Sequence, residues 1–159
     1  MKRQESRRES YGRQTSALRA QRVQETQRIL VAEDNAVNQK VVCRMLEKLG
    51  YRVDVAVNGQ TAVEAWATGR YDLIFMDCQM PVMDGYEATR TIRAREPVGK
   101  RIPIVALTAH AMKGADNECT AAGMDDYLSK PIDRGLMNAS LTRWLDAGDE
   151  SSETMTAQI

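Results

Sequence analysis

The feature that most constrains this chain is a set of short apolar runs that show no polar/apolar alternation. Ile29-Leu30-Val31-Ala32, Leu73-Ile74-Phe75-Met76 and the six residues Ile102–Leu107 are apolar throughout. Such runs suit strands buried on both faces, as in a parallel sheet covered by helices. None approaches the roughly 18 residues needed to span a bilayer. Each run ends in a polar side chain: Glu33-Asp34 after the first, Asp77 after the second, Thr108 after the third.

Between the runs the sequence predicts helices. After strand one, Asn38 is a plausible N-cap, and Val41, Val42, Met45, Leu46 and Leu49 form a stripe at helical spacing. Gly50 supplies a stop. Arg52–Ala56 is the second strand, with Val53 and Val55 alternating against polar neighbours. Asn58-Gly59 turns the chain into a short helix carrying Ala62, Val63 and Trp66, closed by Gly69. The third strand ends at Asp77, and Pro81, Asp84 and Gly85 break the chain before a helix over Tyr86–Arg95. The fourth strand, Ile102–Leu107, precedes a poor helix over about 111–122, weakened by Gly114, Asp116, Asn117 and Thr120. A short fifth strand, Asp126–Leu128, leads to Lys130-Pro131. Asp133 caps a last helix carrying Leu136, Met137, Leu141, Trp144 and Leu145. Five strand-then-helix repeats with right-handed crossings make an α/β parallel sheet with helices on both faces.

At 159 residues the chain suits one good core. Its zero net charge is unevenly spread. Residues 1–28 carry eight bases against three acids, and residues 146–159 carry four acids and no base. The reading is a basic linker or arm over 1–27, helical or disordered, a domain over 28–146, and a disordered acidic tail over 147–159. The arm intersperses Glu among its Arg and offers only Tyr11 for stacking, so a solvated linker is favoured over nucleic-acid binding. No secretory signal is visible and no membrane contact is expected, which places the segment in the cytoplasm. Cys43, Cys78 and Cys119 form no CxxC pair and read as small buried residues in a reducing compartment.

In a parallel sheet, the polar strand ends converge on one edge, where chemistry gathers in folds of this class. Glu33, Asp34 and Asp77 would crowd three carboxylates together and raise one another's pKa. They need a cation, and an all-oxygen set suits Mg²⁺. Lys130 adds a fixed positive charge and Thr108 a hydroxyl. A carboxylate so surrounded can attack phosphorus without a general base, while the cations neutralise charge on the phosphoryl oxygens. The acyl phosphate formed would draw Thr108 inward and open space for Tyr127 to turn, with the weak fourth helix as a bistable element.

The stretches ILVAEDNAVNQ (29–39), DLIFMDCQMPVMDG (72–85), IPIVALTA (102–109) and DYLSKP (126–131) together resemble a receiver domain of two-component signalling, of the kind found in hybrid sensor histidine kinases. Asp34, Asp77, Thr108 and Lys130 follow one another at intervals of 43, 31 and 22 residues, as in that family. The resemblance implies a doubly wound, flavodoxin-like (βα)5 fold with strand order 2-1-3-4-5. It implies that Asp77 accepts a phosphoryl group, that Glu33, Asp34, Asp77 and the Gln79 backbone carbonyl hold Mg²⁺, and that Thr108 and Lys130 bind the phosphoryl oxygens. It further implies that Tyr127 is the switch aromatic and that Lys130-Pro131 is cis. Such a domain catalyses its own phosphorylation and slow dephosphorylation. The parent protein is expected to be a hybrid kinase, with an inner-membrane anchor a possibility.

His110, the single histidine, lacks the helical context of a phosphodonor, so the donor is expected to be a histidine kinase or histidine phosphotransfer domain. Gln79 and His110 could also tune the lifetime of phospho-Asp77. Three other readings compete. One is a stand-alone single-domain response regulator. Another is a non-phosphorylated interaction module on the same fold. The third is an aspartyl-phosphate phosphohydrolase of the haloacid-dehalogenase type, which wants an acid where Gln79 stands.

Overall fold

The computed structural model describes residues 27–109 and 115–156. The basic arm over 1–26 and His110 lie outside the described residues. Strands and helices alternate as β1 (Arg28–Ala32), α1 (Ala36–Lys48), β2 (Arg52–Ala56), α2 (Gly59–Ala67), β3 (Leu73–Asp77), α3 (Gly85–Arg95), β4 (Ile104–Thr108), α4 (Ala115–Ala122), β5 (Asp126–Ser129) and α5 (Arg134–Thr156). The five strands form one parallel sheet in the order β2-β1-β3-β4-β5, as the sequence implies.

The unbroken apolar runs have a direct cause. Successive side chains of a strand point to opposite faces. Leu30, Ala32, Ile74, Met76, Ile104 and Ala106 pack on one side with residues of α2, α3 and α4. Ile29, Val31, Leu73, Phe75, Val105 and Leu107 pack on the other with α1 and α5. Every residue of β3 and β4 is buried. The edge strands are more polar, and Val55 on β2 stays exposed because one face of an edge strand is only partly covered.

Several boundaries differ from the sequence reading. The cap of α1 is Asn35, not Asn38: the Asn35 side chain accepts from the amides of Val37 and Asn38, satisfying two orphan donors of the first turn. Of the predicted stripe, Val42 and Leu46 are buried, while Val41 lies at its edge and is exposed. Strand β4 starts at Ile104 because Pro103 has no N–H for the ladder and the Ile102 amide donates instead to Glu96. Asp84 caps α3, its carboxylate accepting from the Glu87 amide at 2.8 Å. Asp133 caps α5 as expected, accepting from the Leu136 amide at 3.0 Å. Helix α5 extends to Thr156. Cys78 and Cys119 are buried, but Cys43 is only half-buried.

Candidate functional site

The strand ends meet at the carboxyl edge of the sheet. Strands β1 and β3 are neighbours, with Ala32 opposite Met76. This register brings Glu33 and Asp34 beside Asp77. One carboxylate oxygen from each of the three lies within 4.8 Å of the others. Glu33 is 1% exposed and Asp77 is 5% exposed, whereas Asp34 faces solvent. Lys130 follows β5 and reaches across the edge. Its Nζ donates to Glu33 Oε2 at 2.9 Å and to Asp77 Oδ2 at 3.1 Å. The peptide bond after it, Lys130-Pro131, is cis.

Thr108 closes β4 one residue beyond the position opposite Asp77, and it is buried. Its carbonyl accepts from the Lys130 amide at 2.8 Å, which ties the two strand ends together. Gln79 donates its backbone N–H to Asp77 Oδ1 at 3.2 Å. An open hollow of about 570 Å³ leads from this edge, lined by Asp34, Gln79, Met80, Pro81, Asp84 and Tyr86 among others. Tyr127 sits on β5 opposite Ala106, well down the strand from Lys130, and is 37% exposed. Of the residues singled out from sequence that lie among the described ones, Glu33, Asp34, Asp77, Thr108 and Lys130 gather at the edge, Gln79 follows β3 and Tyr127 lies on β5.

The electrostatics of the cluster are unbalanced. Burial pushes the Asp77 carboxyl up to about 6, and the Glu33 charge adds to the rise, against the opposing pull of Lys130 and the Gln79 amide. Burial also acts to raise Glu33, but Lys130 and the Asn35 amide hold it below the ordinary carboxylate range. Lys130 is lifted above its usual value, since its two carboxylate partners outweigh its own desolvation. One ammonium thus serves two buried acids, and Asp34 makes no hydrogen bond or ion pair among the described residues. An all-oxygen set with surplus negative charge fits a hard divalent cation.

Local sequence explains why the loop after β3 can fold so tightly over the site. A Cβ at Gly85 would overlap the backbone carbonyl oxygen of Asp77, so this position admits no side chain. The Gly85 amide donates to the Cys78 carbonyl at 3.1 Å and draws the loop back onto the strand end. The sequence reading treats Gly85 only as a breaker. It also misses Asn35, Asn38 and Gln39 as partners of Glu33, although the wording EDNAVNQ places them two, five and six residues after it.

Residues 29–142 match the response regulator receiver domain family. The chain is 46% identical over 126 residues to the hybrid signal transduction protein dokA of Dictyostelium discoideum, covering 79% of this chain and 7% of that one. It is 44% identical to histidine kinase 1 of Arabidopsis thaliana, covering 72% and 12%, and 39% identical to the aerobic respiration control sensor protein ArcB of Escherichia coli, covering 82% and 17%. It therefore spans less than a fifth of these relatives' length. Among solved structures it resembles the receiver domain of the sensor histidine kinase PA1611 from Pseudomonas aeruginosa, which has a magnesium ion coordinated in the active-site cleft. That pair shares 52% identity with a TM-score of 0.70, over 76% of this chain and 98% of that one. A second is the receiver domain of the yeast response regulator Ssk1, solved with the histidine phosphotransfer protein Ypd1, at 34% identity and a TM-score of 0.69 over 75% and 88%. With its sheet order, its acidic edge and its match over most of its length, the chain belongs to the response regulator receiver domain family.

Proposed function

We propose that this domain is the phosphoacceptor of a phosphorelay, taking a phosphoryl group from a phosphohistidine onto Asp77. The observation that carries the reading is the buried Asp77 carboxylate, 3.1 Å from the Lys130 ammonium and clustered with two further acids. Asp77 is the nucleophile: a carboxylate oxygen bonds to phosphorus as the P–N bond to the donor imidazole breaks. Lys130 neutralises charge on the phosphoryl oxygens, and the Thr108 hydroxyl donates to one of them. Glu33, Asp34, Asp77 and the Gln79 carbonyl would hold Mg²⁺, which supplies positive charge to the same oxygens when bound. Thr108 and Tyr127 carry the change of state to the exposed side of β5.

The donor is a histidine kinase or a histidine phosphotransfer domain, and the parent protein is a hybrid sensor histidine kinase. The likeness to dokA, histidine kinase 1 and ArcB supports that parentage, and the pairing of the yeast response regulator's receiver with a phosphotransfer protein supports that donor class. No helix among the described residues is long and apolar enough to cross a membrane. Residues 1–27 serve as a basic linker and 28–146 as the receiver.

The test is incubation with Mg²⁺ and acetyl phosphate followed by intact mass. One phosphoryl adduct, absent in Asp77→Asn, is the expected result. Turnover without an adduct would indicate a phosphohydrolase, and no reaction an interaction module.

A further inference from the structure

The first turns of α1 hold amides that the phosphoryl chemistry above does not use. Gln39 Nε2 donates to the backbone carbonyl of Glu33 at 2.7 Å, a short bond for an uncharged pair. Asn38 Nδ2 donates to Glu33 Oε1 at 3.4 Å, the same oxygen that accepts from the Asn35 amide at 3.2 Å. The Glu33 amide donates to the Ala56 carbonyl at 3.0 Å, and Lys130 occupies Oε2. Every polar group of Glu33 is therefore engaged, while the carboxylate of the next residue, Asp34, is left with none of these partners.

That asymmetry has a geometric consequence. The Glu33 carbonyl and the Asp34 amide belong to one rigid peptide plane. A hydrogen bond that fixes the carbonyl fixes the plane, and with it the direction in which Asp34 leaves the strand end. Both donors come from a helix whose start is itself pinned by the Asn35 cap. Rigid supporting partners of this kind set ligand orientation before a cation arrives.

We propose that Gln39 and Asn38 are positioning residues for the cation site, a role that rests on the phosphoacceptor reading of that site. Gln39 aims Asp34 through the Glu33 carbonyl. Asn38 holds the Glu33 carboxylate in the rotamer that meets Lys130. Neither side chain touches the phosphoryl group.

Gln39→Met keeps the length and helix propensity of the side chain and removes its amide, and with it the bond to the Glu33 carbonyl. Asn38→Ala is the second variant, and urea unfolding without metal establishes that each is folded. Mg²⁺ alone is titrated first, and acetyl phosphate labelling is then followed against Mg²⁺ concentration. Gln39→Met is expected to bind Mg²⁺ about tenfold more weakly. The half-saturating Mg²⁺ should rise by a similar factor, with the labelling rate at saturating Mg²⁺ within about twofold of wild type. Asn38→Ala should shift in the same sense. Wild-type Mg²⁺ affinity in both variants overturns the proposal, as does a labelling rate that stays depressed at saturating Mg²⁺. If the wild-type chain itself binds no Mg²⁺, the phosphoacceptor reading fails and this inference with it.

Discussion

Asp77 is costly to the fold it serves. Its carboxyl is raised from 3.8 to about 6 by burial and by the neighbouring Glu33, so in the metal-free protein the ionised form is disfavoured. A folded-state pKa above the unfolded one means the folded protein binds more protons between those two values. Stability then rises as pH falls from about 6 toward 3.8, and the penalty of the charge is fully present above 6. Asp77→Asn removes that charge while keeping the side chain's shape. In EDTA at pH 7.5 the variant should be more stable than wild type by on the order of 2 kcal/mol in urea unfolding, with the gain shrinking toward zero near pH 4. Equal stability at both pH values would contradict the electrostatic origin of the strain. The place of Asp77 at the carboxyl end of β3 was legible from the apolar run before it. The opposite directions in which Asp77 and Glu33 shift were not, because they depend on which buried acid the Lys130 and backbone N–H donors favour.

The elements that carry the site were readable where periodicity and turn residues agree, and less so where side chains reach across the chain. The five strands fall where the sequence placed them: continuous burial leaves an unbroken apolar record in β1, β3 and β4, while β2 shows only through its alternating Val53 and Val55. Asn38, read from sequence as the α1 cap, lies three residues past the true one: the bonds that the Asn35 side chain accepts from the Val37 and Asn38 amides put the cap at Asn35. Arg93 shows the same limit. Its guanidinium donates to Glu96, to Asp125 and to the carbonyls of Ile102 and Gly123, joining α3, the segment before β4 and the loop before β5. Nothing local marks it, because its partners lie up to 32 residues away. At the start of α3, Gly85 gives a sharper test. Alanine in place of glycine normally favours a helix by about 1 kcal/mol. Here the added Cβ meets the Asp77 carbonyl oxygen, which is backbone and cannot swing aside. Gly85→Ala is expected to destabilise by roughly 2–3 kcal/mol in urea unfolding; a stabilised variant would show that the loop over Asp77 is loose.

For the whole molecule, the sheet order does the assembling. Placing β1 and β3 side by side at the centre, with β4 and β5 following, brings residues 33, 77, 108 and 130 to one edge although they span most of the chain. Two separate cores, one on each face of the sheet, hold that edge rigid from beneath. Under the proposed function, a change at the edge would be read on the exposed side of β5, where Tyr127 lies opposite Ala106. What the sequence could not fix was how firmly the Glu33–Asn35 corner is anchored, since that rests on amides contributed by the helix it precedes. The most direct measurement is transfer of radiolabelled phosphate from a phosphorylated histidine phosphotransfer domain. Label should move to this chain in the presence of Mg²⁺, and should fail to move with EDTA or with Asp77→Asn. Label retained by the donor under all conditions, or accepted equally well by Asp77→Asn, would contradict Asp77 as the phosphoacceptor.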